Sequence, residues 1–234
     1  MKFVIMLYGL LLFPVLLWLQ NKDIAAQRGK VHLYGIYGFF GLPGYGKTIS
    51  MTRYLNKMRK KYGDKIYIMT NYHYVGQDIE FTTWRQLLQE YDKPLIVAWD
   101  EVQNEFNSRD FKDFPINLLT QLTQVRKGNG IQLLYTSQRW HFVDKNFRTL
   151  SFGCYDCHTI MGRYTYALKY DPDTYDDKCN QKSVDKKMRC RASGGLCFVQ
   201  TDTLRNSFDS YKMLATAKSK QYMSRTESKE AMSE

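Results

Sequence analysis

The chain of 234 residues has no internal repeat, no cysteine before Cys154, and too few acidic residues to balance its basic ones. Without a repeat, solenoid and propeller arrays are excluded. The five cysteines, Cys154, Cys157, Cys179, Cys190 and Cys197, are scattered through the final third and do not form the dense framework of a disulfide-stapled domain. Cys154 and Cys157 have the C-x-x-C spacing of half a zinc site, but the later cysteines offer no second tight pair. Free thiols are therefore the leading expectation, with zinc the lesser alternative. Long apolar runs are also scarce. Residues 3–19 form a charge-free stretch rich in Leu, Val, Ile, Phe and Met that approaches the length needed to cross a bilayer. Acidic side chains number 23 against 34 basic ones, a formal net charge of +11. Such an excess favours contact with polyanions, either nucleic acid or an anionic membrane leaflet. With 44% hydrophobic and 15% aromatic residues, the chain has ample material for a core, so wholesale disorder is excluded.

What is present begins with Gly41-Leu42-Pro43-Gly44-Tyr45-Gly46-Lys47-Thr48, which fits the phosphate-loop pattern G-x-x-x-x-G-K-[ST]. A β-rich apolar run over residues 32–40 precedes it, and a helix-like run over residues 49–61 follows, with Met51, Leu55 and Met58 among polar residues. Strand, loop and helix thus arrive in the order the motif requires. Gly44 and Gly46, lacking Cβ atoms, let the backbone curl around an anion and aim its N–H groups at the α- and β-phosphates. Gly41, Gly44, Tyr45, Gly46, Lys47, Thr48 and Ile49 form the expected nucleotide-binding segment. Lys47 would reach the β- and γ-phosphates, and the Thr48 hydroxyl would coordinate Mg2+.

A continuous apolar run, Leu95-Ile96-Val97-Ala98-Trp99, ends in Asp100-Glu101. A strand buried on both faces reads this way, and carboxylates at its end stand beside the phosphate loop. Asp100 is the second expected Mg2+ partner, and Glu101 would polarise the water that attacks ATP. Another strand signal, residues 131–135, is followed by Thr136-Ser137-Gln138, of which Gln138 is the candidate sensor of the γ-phosphate.

The organisation along the chain follows from these marks. Residues 1–20 read as a transmembrane anchor, 21–30 as a polar linker, 31–211 as an ATPase domain and 212–234 as a charged tail too polar to build a core. A cleaved export signal is the rival for the first segment. The apolar run is longer than an h-region, and only Ala25 and Ala26 suggest a cleavage site. Lys22, Arg28 and Lys30 after the anchor outweigh Lys2 and the terminal amine before it, so the ATPase domain is expected on the cytoplasmic side. The expected strands are residues 32–40, 66–70, 95–99, 131–135 and 150–157. The expected helices are 49–61, 84–91 and 116–126, the second capped by Thr82 or Thr83 and the third opened by Pro115. Such alternation predicts an α/β domain with a mostly parallel sheet covered on both faces. Residues 163–170 alternate as an antiparallel or edge strand would, and residues 197–200 lie beyond a charged stretch, so a β insertion or hairpin is expected at the sheet edge. Basic clusters occur at Lys57, Arg59, Lys60 and Lys61, at Lys182, Lys186, Lys187, Arg189 and Arg191, and at Lys212, Lys218, Lys220 and Arg225.

Taken together, several stretches resemble the zonular occludens toxin-like (Zot) family of filamentous-phage morphogenesis ATPases, within the wider FtsK/HerA group of motors. They are the phosphate loop, Asn71 after the second strand, Asp100-Glu101 followed by Phe106-Asn107-Ser108-Arg109, Arg126-Lys127, Gln138, and Val143-Asp144-Lys145-Asn146-Phe147-Arg148. The resemblance covers roughly residues 31–211 and implies a RecA-like P-loop ATPase at the host inner membrane. It further implies a ring, expected to be a hexamer, that hydrolyses ATP with Mg2+ and drives export or packaging of phage DNA. Phage coat or assembly proteins and membrane lipid are the other implied partners. An arginine supplied in trans is implied as well, with Arg126 the first candidate and Arg109 and Arg148 behind it. Better-known phage members carry their membrane span after the ATPase domain, whereas residues 3–19 precede it. Packaging of double-stranded DNA, conjugative coupling, and a nucleotide-dependent membrane scaffold that contacts no DNA are the alternative tasks.

Overall fold

In this computed structural model, which describes residues 31, 33–104, 116–124, 130–183 and 190–209, β-rich and amphipathic segments alternate much as the sequence suggests. In chain order they are β1 (Gly35–Phe40), α1 (Lys47–Tyr62), β2 (Tyr67–Thr70), β3 (Ile79–Glu80), β4 (Leu95–Trp99), α2 (Ile116–Thr123) and β5 (Ile131–Ser137). Then come α3 (Lys145–Leu150), β6 (Gly153–Ile160), β7 (Tyr164–Tyr170), α4 (Pro172–Asn180), β8 (Gly194–Val199) and α5 (Asp202–Arg205). All of them belong to the unit that starts at Leu33.

The eight strands form one sheet in the order β3-β2-β4-β5-β1-β6-β7-β8. From β3 through β6 all pairings are parallel, and β7 and β8 add antiparallel to that core. Strand alternation divides the side chains between two faces. Ile36 and Phe40 of β1, Val97 and Trp99 of β4, and Leu133 and Tyr135 of β5 point into a large aromatic-rich core, completed by Leu118 and Leu122 of α2, Phe147 of α3 and Tyr175 of α4. Phe40 meets Tyr135 and Trp140 edge-on, at ring separations of 5.7 and 5.2 Å. The opposite face is covered by α1, which buries Ile49, Met51, Leu55 and Met58. Gly63 ends α1 at φ 54°, and the basic residues of its last turn sit at the negative end of the helix dipole.

Several boundaries differ from expectation. Residues 84–91 form only a short 3-10 turn, Trp84–Leu88, although Thr83 and Gln86 do build a capping box there. The strand expected from residue 150 begins at Gly153, because Asp144 caps α3 and extends helix through Leu150. Residues 163–170 form the antiparallel strand expected of them, one place in from the sheet edge. β7 lies between β6 and β8, with Thr165 and Ala167 fully buried, and β8 forms the edge. Helix α4 went unanticipated, though Asp171 capping it with Pro172 in its first turn is a recognisable start signal. Cys154 and Cys157, three apart on β6, point to opposite faces, so they cannot share a metal ion. Cys154 lies in the aromatic core and Cys157 is buried on the α1 face beside the phosphate loop, where burial pushes its thiol up to about 12.

After β8 the chain passes through α5, which packs on α1, and reaches the far side of the sheet. There Phe208 forms an isolated antiparallel bridge with Tyr74, and Val75 N–H donates to the Ser207 carbonyl at 2.9 Å. Among the described residues no helix is long and apolar enough to cross a membrane. The segment 3–19, the linker and the tail lie outside the described residues.

Candidate functional site

The phosphate loop leaves the end of β1 and turns directly into α1. Its tightness comes from a Tyr45 N–H bond to the Leu42 carbonyl at 3.1 Å. Gly46 precedes α1 in a left-handed conformation, φ 84°, and no side chain caps the helix. The first N–H groups of α1 have no acceptor in their own helix, so they and the positive end of the dipole face the loop. A Cβ on Gly46 would lie 2.7 Å from Thr159 Oγ1 and 2.9 Å from Thr165 Cγ2, so glycine is required by space as well as by φ. Those two threonines, on β6 and β7, bond to each other at 2.8 Å. Gln200 Nε2 donates to Thr165 Oγ1 at 2.8 Å, and Arg205 Nε donates to Gln200 Oε1 at 2.9 Å. A chain of polar contacts thus runs from α5 to the underside of the loop.

The structure brings together Lys47, Thr48, Asp100 and Glu101. Lys47 is buried. Its Nζ lies 3.8 Å from Glu101 Oε1 and 3.4 Å from the Leu42 carbonyl. Thr48 Oγ1 donates to Asp100 Oδ1 at 2.9 Å. The same carboxylate oxygen accepts from Thr136 Oγ1 at 2.6 Å. Burial raises the Asp100 carboxyl pKa; the bonds from Thr136 and Thr48 oppose that, Glu101 adds to it, and Lys47 pulls it back. Asn71, just after β2, clasps the Asp100 backbone, donating to its carbonyl at 3.0 Å and accepting its N–H at 2.7 Å. Glu101 sits at φ 55°, unusual for a residue with a Cβ, and its side chain accepts from Gln103 Nε2.

Thr136 is the site residue that motif reading missed. Pairing of β4 with β5 runs to Trp99 and Tyr135, so one step further sets Asp100 against Thr136. The signal was available in the strand period: Thr136 shares a face with Gln132 and Leu134, the face that carries Thr48. Gln138 follows β5 immediately and is half-buried, with no hydrogen bond to Asp100 or Glu101. Ile49 is buried in the first turn of α1. Arg126 and Arg109 lie outside the described residues. Arg148 is engaged within the chain, 3.1 Å from Asp176 and over the Trp140 ring at 5.4 Å.

A parallel sheet, a glycine loop opening a helix at the end of one strand, and an Asp-Glu pair at the end of another with one strand between them define the P-loop NTPase fold. No protein-family profile matches the chain, and no curated protein matches it by sequence. Among solved structures it is similar to the N-terminal domain of zonular occludens toxin from Neisseria meningitidis, at 18% identity and a TM-score of 0.55. That match covers 76% of this chain and 100% of the other, and it shows a shared fold. Similarity extends to B204, the DNA-packaging ATPase from Sulfolobus turreted icosahedral virus, with 14% identity over 62% of this chain and 95% of that one. The TM-score of that second match, 0.43, is too low to establish a shared fold.

Proposed function

We propose that this chain is an ATP hydrolase of phage assembly, a P-loop motor that engages DNA at the inner membrane of the host. The observation that carries the enzymatic part is the convergence of Lys47, Thr48, Asp100 and Glu101 at one end of the sheet. Thr48 and Asp100 fit a Mg2+ ion, because their oxygens already meet at 2.9 Å beside an uncapped helix start. Mg2+, when bound, would neutralise phosphate charge and polarise the scissile bond. Lys47 would exchange its contacts with Glu101 and the Leu42 carbonyl for the β- and γ-phosphates, freeing Glu101 to polarise the attacking water. Thr136 fixes Asp100, and through the Glu101 N–H it also fixes the backbone of the residue next to it. Gln138, at the end of β5, is the candidate link between the terminal phosphate and the rest of the sheet.

The wider task rests on three supports: the resemblance of the motifs to the Zot-like ATPases, the fold shared with a Zot N-terminal domain, and the net charge of +11. In this reading residues 3–19 anchor the chain, the domain faces the cytoplasm, copies assemble as a ring completed by Arg126 in trans, and coat or assembly proteins are the other partners. Double-stranded DNA packaging is the second reading.

The test is ATP turnover by the wild type, Lys47→Ala and Glu101→Gln, each without DNA, with single-stranded DNA and with double-stranded DNA. Either substitution is expected to lower turnover about a hundredfold or more. Stimulation by one DNA form would select export or packaging. Turnover unaffected by both substitutions would refute the assignment of the site, and turnover indifferent to DNA would favour the scaffold.

A further inference from the structure

The phosphate loop has two flanks. On one side of β1 lie β5 and β4, which bring Thr136, Asp100 and Glu101; on the other lie β6 and β7. With its terminal phosphate at Lys47 and the carboxylates, a nucleotide lying along the loop away from β4 would bring its ribose and base toward the β6 and β7 flank.

Three rings stand on that flank. Tyr45 belongs to the loop itself, and its ring centroid is 5.3 Å from that of His158 on β6, tilted by 44°. His158 stacks in turn on Tyr166 of β7, its register partner, at 5.2 Å and 20°. None of the three belongs to the aromatic core, and all are half-buried. The middle ring is held from the side: His158 Nε2 lies 3.4 Å from Asp156 Oδ1, and Lys178 Nζ fixes the other oxygen of that carboxylate at 2.7 Å. Its orientation is therefore set before any ligand arrives, which lowers the cost of ordering on binding.

From this juxtaposition we infer that Tyr45, His158 and Tyr166 form the seat for the nucleotide base, and that the seat selects a purine. The inference rests on the nucleotide-binding role proposed above and adds to it the recognition of the base. Half-buried planar rings beside a phosphate loop offer π-faces and edges to a planar heterocycle, and the two-ring purine covers more of them than a pyrimidine does. Stacking of this kind tolerates adenine and guanine alike, so the discrimination expected is purine over pyrimidine.

The experiment measures binding of ATP, UTP and inorganic tripolyphosphate to the full-length wild type, Lys47→Ala, His158→Ala and His158→Phe. ATP is expected to bind the wild type more tightly than UTP or tripolyphosphate. His158→Ala should weaken ATP about tenfold, leave tripolyphosphate unchanged and erase the preference over UTP. His158→Phe, which keeps a ring without the link to Asp156, should recover most of the ATP affinity. Equal binding of ATP and UTP by the wild type would overturn the inference, as would a parallel loss of ATP and tripolyphosphate in His158→Ala. Failure of the wild type to bind either triphosphate in a Lys47-dependent way would instead overturn the nucleotide reading, and the base seat with it.

Discussion

The Thr136 hydroxyl makes two hydrogen bonds, donating to Asp100 Oδ1 at 2.6 Å and accepting the Glu101 N–H at 2.8 Å. Asp100 is buried, and Glu101 follows it in a strained turn at φ 55°. Thr136→Val keeps the shape and removes both bonds. It is expected to cost about 1–3 kcal/mol in denaturant unfolding and to lower turnover by tenfold or so, while Thr136→Ser restores both. A valine variant with unchanged stability and turnover would show that the hydroxyl is dispensable. At this scale the sequence was a partial guide. Lys47, Thr48, Asp100 and Glu101 could be read because fixed spacing within a local motif marks them. Thr136 and Asn71 act through contacts between strands far apart in sequence: strand period gives the face of Thr136 but not the carboxylate it meets, and Asn71 stood out only through the family resemblance. Gln138, chosen for its place after a strand, stands two positions beyond the side chain that touches the carboxylate.

Among the elements, the antiparallel pair β7 and β8 does more than widen the sheet. It carries Thr165 and leads into Gln200, and through them it backs Gly46 from below. Gln200 is a positioning residue, since it touches the loop only through the threonines. Gln200→Ala should therefore raise the KM for ATP severalfold and leave kcat nearly unchanged, with a stability loss of about 1–2 kcal/mol by thermal or denaturant unfolding. An equal fall in kcat with KM unmoved would argue against a role in loop placement. The elements also show where pattern reading works. Apolar runs such as residues 95–99 became the expected buried strand, and the amphipathic run after the loop became α1. The C-x-x-C spacing suggested zinc only while Cys154 and Cys157 were read without their strand. Once both lie on β6, an odd separation sends the thiols to opposite faces.

Across the whole molecule, the alternation of strands and helices was enough to predict a mostly parallel α/β sheet. The order β3-β2-β4-β5-β1-β6-β7-β8 was not legible, because strand neighbours are chosen by packing between distant segments. Charge is a property at this scale too. Lys57, Lys60 and Lys61 are exposed along α1, and Lys182 and Arg191 are exposed beyond α4, whereas Arg59 is bound to Asp78 and to backbone carbonyls. If these exposed groups neutralise DNA phosphates, affinity for DNA should fall by roughly a thousandfold between about 50 and about 200 mM salt. Titration with a labelled oligonucleotide checks this, and a flat salt response would dissociate the net charge from DNA binding. The path of the chain after β8 has a mechanical consequence. The segment from Gln200 to Asp209 recrosses α1 from the outer edge of the sheet to Tyr74, so a load pulling on residues beyond Asp209 meets the Tyr74–Phe208 bridge first. Only if that contact parted would tension be passed on to Arg205, Gln200 and the hydroxyls under Gly46, so the bridge stands between such a load and the loop.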